Sequence, residues 1–102
     1  MANTFKNYTS AGIGTAETTV MTVAASTTTV IIGLSIANTT ASQIAVDVKL
    51  GAIHIIKAVP IPANSAVSVL DGKIIAETTD TIKVTSDTAA SADVILSVLE
   101  QT

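Results

Sequence analysis

The chain has 102 residues, of which 48% are hydrophobic, 13% charged and 2% aromatic, and its formal net charge is −3. Having no cysteine, it can form no disulfide, thiolate metal site or thiol nucleophile. Five Lys, no Arg and eight acidic residues give no basic surface for phosphates, so nucleic acid is not expected as a partner. One domain fits this length. Its bulk is Thr, Ala, Val and Ile, and β-branched side chains suit a pleated sheet better than a helix. A surface this poor in charge suits a subunit packed against neighbours better than a free monomer. The uninterrupted apolar runs are far shorter than the roughly 20 residues a bilayer-spanning helix needs, so no membrane partner is expected. Residues 1–10 lack the charged start and apolar run of a secretory signal.

In chain order, residues 1–14 read as an N-terminal arm or edge strand, and residues 15–102 as the folded domain. Glu17–Ala24 reads as a strand in which Val20 and Val23 are out of phase. In Thr28–Ala37, Val30, Ile32, Leu34 and Ile36 fall on one face at a period of two, which predicts a strand with that face buried. Gln43–Leu50 alternates Ile44, Val46, Val48 and Leu50 with Ala45, Asp47 and Lys49, and the short polar link Asn38–Ser42 predicts a β-hairpin between these two strands. Ala52–Ala58 is a further strand. Pro60 and Pro62 cannot donate to a ladder, and mark its end or a sheet edge. Ser65–Leu70, Lys73–Ala76, Thr81–Thr85 and Ala92–Leu99 complete the set, with turns at Asp71-Gly72 and Thr78–Asp80. About eight short strands at this spacing predict an all-β, single-domain antiparallel β-sandwich, jelly-roll or Ig-like.

Few residues invite chemistry. His54 is the single imidazole, and with no second His or Cys it reads as a strand residue on the less buried face. Asp71, Glu77, Asp80, Asp87 and Asp93 are spread one per turn, a spacing that suits turn formation better than the six to eight ligands of a calcium site. Gly12-Ile13-Gly14 opens like a dinucleotide fingerprint, but Glu17 stands in place of the third glycine, and a loop is the better reading. The sequence therefore implies no cofactor, no metal and no catalytic residue. The two aromatic residues, Phe5 and Tyr8, either insert into a neighbour's groove or cap the open end of the domain's own core. Phe5, Tyr8, Pro60 and Pro62 are the candidate interface residues.

The run Val69–Val84 (VLDGKIIAETTDTIKV) resembles a hairpin in small structural proteins of tailed bacteriophages, including those of cyanobacteria. The closing strand Asp93–Glu100, the opening Tyr8-Thr9 and Thr29–Asn38 are similar as well. Thr79 stands where that hairpin has Gly, which predicts a turn that avoids positive φ at this position. The resemblance implies a virion component made in the host cytoplasm: a non-enzymatic, homo-oligomeric subunit that contacts other virion proteins as capsid decoration, neck or tail accessory. A host-surface binding module of a tail fibre is the alternative.

Overall fold

The structure is a computed structural model that describes residues 2–68, 70 and 72–102. Nine strands form among the described residues: β1 (Asn3–Ile13), β2 (Thr18–Thr22), β3 (Thr28–Asn38), β4 (Ile44–Leu50), β5 (Ile53–Ile61), β6 (Ala66–Ser68), β7 (Ile74–Ala76), β8 (Thr81–Ser86) and β9 (Ala92–Gln101). They build two antiparallel sheets packed face to face, the β-sandwich expected from the alternating pattern. In the first sheet the order is β1-β9-β3-β6, with β7 also pairing along the outer side of β3; in the second it is β2-β8-β4-β5. Val69, at the end of a predicted strand, and Asp71, in a predicted turn, lie outside the described residues.

The core is aliphatic. Ile31, Leu34 and Ile36 of β3 and Val94, Leu96 and Val98 of β9 meet Val46 and Val48 of β4 and Ile82 and Val84 of β8, all buried. Each such side chain contributes about 1.5–3 kcal/mol on leaving water. The extents of 45 × 21 × 21 Å follow from the long strands of the first sheet.

Two expectations are corrected by this arrangement. The predicted hairpin of Thr28–Ala37 with Gln43–Leu50 does not form, because β3 and β4 belong to different sheets. The link between them crosses the sandwich, and Asn38 anchors the crossing from within. Its Nδ2 donates to the carbonyls of Ser42, Ile61 and Pro62 at 2.8, 3.0 and 3.1 Å. Its Oδ1 accepts from the N–H and hydroxyl of Thr40 at 2.9 and 2.7 Å. The phase predicted within β3 also fails in its first half. The register against β9 shifts between Ile31 and Gly33, so Ile32 is the extra residue of a bulge and turns outward, while Ile31 turns inward. A bulge between Thr19 and Met21 likewise explains the irregular phase around Val20.

The segment around Thr79 corrects a third expectation: no hairpin joins β7 to β8, which lie in different sheets, and Thr79 has a φ of +72°. The turn Glu77–Asp80 is closed by the Asp80 N–H to the Glu77 carbonyl at 2.9 Å, and the Glu77 N–H donates to Asp80 Oδ2 at 2.8 Å. Thr79 is also tied to Val23, whose carbonyl accepts its N–H at 3.1 Å. These bonds hold a β-branched residue at the third turn position in a conformation that glycine adopts cheaply. Thr79→Gly is therefore expected to raise the unfolding free energy by about 1 kcal/mol, measured by urea titration.

Candidate functional site

The outer surfaces of the two sheets differ in chemistry, and the difference begins in the sequence. β4 and β8 alternate strictly, so Asp47, Lys49 and Lys83 point away from the core. Lys49 and Lys83 are cross-strand partners, a like-charge pair that would repel if left alone. Glu17, just before β2, lies between them, with Oε2 3.0 Å from Lys49 Nζ and Oε1 3.7 Å from Lys83 Nζ. The Lys49 hydrogen bond, aided by the charge of both lysines, holds the Glu17 carboxyl below its ordinary 4.5. A depressed carboxylate stabilises the fold above its unfolded value, and that contribution is lost as pH falls through the folded one. The stability gap between the native chain and Glu17→Gln should thus be open at neutral pH and close on acidification, as read by urea unfolding across the carboxylate range.

The first sheet has no such alternation. Its strands carry apolar residues at adjacent positions, as in Val30–Ile32, Ile74-Ile75 and Val94–Leu96, so one set fills the core and the other faces out. Strand register puts four of these outward residues in one row across the sheet. Phe5 of β1 is opposite Leu99 of β9, Leu99 is opposite Val30 of β3, and Val30 is opposite Ile75 of β7. Phe5 is 76% exposed and Ile75 52%, while Leu99 and Val30 between them are half-buried. Beyond this row lie Ile32 and Ile95, 42% and 50% exposed. The polar groups interspersed with them are neutral: Asn7 and Ser97 are cross-strand partners joined by a hydrogen bond of 2.8 Å, and Thr9 and Ser35 flank Ile95. Asp93, at the far end of β9, accepts the Gly12 N–H at 3.0 Å.

The sequence-derived candidates fall in separate places. Phe5 belongs to the outer apolar row. Tyr8 is on the opposite side of β1, half-buried against the core, with Lys6 4.9 Å from its ring centre and its hydroxyl donating to Glu100 Oε2. That hydrogen bond, with some burial, raises the Tyr8 pKa above 10.0. Pro60 is exposed within β5, an edge strand of the second sheet, and Pro62 follows the strand end, also exposed. Neither proline is near the apolar row, which lies on the other sheet. The row carries its own signal in the sequence, the doubly apolar runs that mark a strand covered on both faces.

Several aspartates accept backbone N–H groups, and the single imidazole lies beside one of them. His54 Nε2 is 3.9 Å from Asp47 Oδ2, on the outer face of the second sheet. Asp47 Oδ1 accepts the Ala58 N–H at 2.7 Å, holding a bulged stretch of β5 in which Ala58 has a φ of +51°. Asp87 Oδ1 accepts the Ala45 N–H at 3.1 Å. Both carboxylates line a pocket of about 170 Å3 with Ala45, Ala58, Thr85 and Ser86. Among the described residues, no three His, Cys, Asp or Glu side chains gather as metal ligands. The glycines of Gly12-Ile13-Gly14 have backbone reasons instead. Gly12 sits at a φ of +66° beside the bulge that ends β1, and a Cβ on Gly14 would approach the Ala90 nitrogen to 3.2 Å.

No protein-family model matches this chain, and neither does any curated protein sequence. Its fold is similar to that of a solved chain from Bacillus endospore appendages, which form a novel family of disulfide-linked pili. The two share 10% identity with a TM-score of 0.56, over 99% of this chain and 87% of that one.

Proposed function

We propose that this chain is a non-enzymatic structural subunit of a bacteriophage virion, packing by repeated symmetric contacts in the shell, neck or tail. The observation that carries the reading is the apolar, uncharged outer face of the first sheet. Monomeric proteins seldom leave a contiguous apolar patch of this kind in water, and a subunit covered by neighbours has reason to. Repetition is the physical advantage, since symmetric copies multiply a modest contact into a stable assembly. The virion is supported by the sequence of Val69–Val84 and of the closing strand Asp93–Glu100, which resemble tailed-phage structural proteins. The likeness to an appendage chain adds that such a sandwich occurs in an extended protein assembly. That family is disulfide-linked, and this sequence has no cysteine, so its contacts would be non-covalent.

Quantitative mass spectrometry of purified virions from the phage that encodes the chain is the test. The expected result is a fixed copy number per particle, high for shell decoration and low for neck or tail. Particles free of the chain, made while it is expressed in the infected cell, would overturn the reading.

A further inference from the structure

We infer that the outer face of the five-stranded sheet is covered by the same face of a second copy of this chain, in a two-fold contact. The inference rests on the structural-subunit reading and adds its first partner. The geometry points to a copy of the same chain through charge, area and contrast.

In a two-fold contact a charge at the axis meets its own copy, and a charge away from it needs an opposite charge elsewhere on the same face. A face that carries neither can pair with itself without electrostatic cost. The row Phe5–Leu99–Val30–Ile75 carries none, nor do its neighbours Ile32 and Ile95. Asn7, Ser97, Thr9 and Ser35 each both donate and accept, and can therefore pair with their own kind. Among the described strand residues Asp93 is the one carboxylate that alternation along β9 places on this face, Glu100 being on the Tyr8 side. Asp93 stands at the end with a backbone N–H already on it. The opposite sheet offers the contrast. Lys49, Lys83, Asp47 and Glu17 make its surface suited to water and unsuited to self-contact.

The area also fits. Three strands of 10 or 11 residues and two of 3 residues along the outer side of β3, about 4.8 Å apart at about 3.3 Å per residue, present roughly 600 Å2. Two such faces together bury roughly 1,100–1,200 Å2, above the roughly 1,000 Å2 that a biological contact should clear and in the range of a reversible one. The faces would stack about 10 Å apart, as sheets do inside a sandwich.

The test is sedimentation velocity on the full chain across a concentration series, at low and high salt. A reversible dimer that persists at high salt is the expected result, because no exposed ion pair holds it. Ile95→Glu and Phe5→Glu, at exposed positions where the fold tolerates them, should each weaken association about tenfold or more. Ile53→Glu, 71% exposed on the second sheet, should leave it unchanged. Circular dichroism confirms that each variant keeps its sheets. A chain that stays monomeric, or a dimer indifferent to both face variants, overturns the inference. A monomer that is nevertheless found at fixed copy number in virions leaves the subunit reading standing and assigns the face to another protein. Dimers of an intact face, with virions free of the chain, overturn the subunit reading alone.

Discussion

Asn38→Ala is expected to lower the unfolding free energy by about 3 kcal/mol in a urea or guanidinium titration. The side chain is 2% exposed and gathers three carbonyls on its amide nitrogen and two donors on its oxygen. Alanine would leave the Ile61 carbonyl, buried at that contact, without this partner, and the other groups with at best water. Asn38→Asp is expected to cost at least as much, since a carboxylate cannot donate to the three carbonyls and would bring a charge into their midst. The loss should also be local in origin. Asn38 ties the end of β3 to the end of β5, so the crossing between sheets should lose hydrogen-exchange protection first.

The second large effect comes as a pair of opposites. Ile31→Ala is expected to cost about 3 kcal/mol and Ile32→Ala only a few tenths, by the same titration. Ile31 is completely buried between the sheets, and Ile32 is turned out by the bulge. A regular strand through Thr28–Asn38 would reverse the two results. The pair therefore tests the register of β3 directly, with the same change in composition at neighbouring positions. Ile32 bears on association as well: its loss should weaken the proposed dimer while barely affecting the fold.

Legibility in the sequence followed the regularity of each strand. Gln43–Leu50 and Thr81–Thr85 alternate cleanly between apolar and polar residues, and both their existence and their facing agree with the pattern. Strands β3 and β9 are apolar on both sides, so periodicity placed them but carried little about which face was inside, and the face expected to be buried in Thr28–Ala37 holds only from Leu34 onward. One bulge residue then inverts the phase, as at Ile32, and nothing in a run of Val, Ile and Leu marks where it falls. The false hairpin has a similar origin. A five-residue polar link serves a tight turn or a crossing between sheets equally well, and the deciding contact is Asn38 with Ile61, which are 23 residues apart. Thr79 was readable as an exception to the hairpin pattern, but the strength of the bonds holding it at positive φ was not. As for the surface, Phe5 stood out as an aromatic in a chain with two of them, whereas its partners Leu99, Val30 and Ile75 meet it only through strand register.

The pairing of the first strand with the last has a mechanical consequence. Ala2 and Thr102 exchange hydrogen bonds, N–H to carbonyl in both directions, so the two ends of the described chain leave the molecule side by side. A pull between those ends would open the β1–β9 ladder one rung after another, like a zipper, and at low force. Traction spread over a broad sheet surface would instead load many contacts at once. A particle built from this subunit would gain tensile strength by transmitting stress through its sheets and sparing its termini.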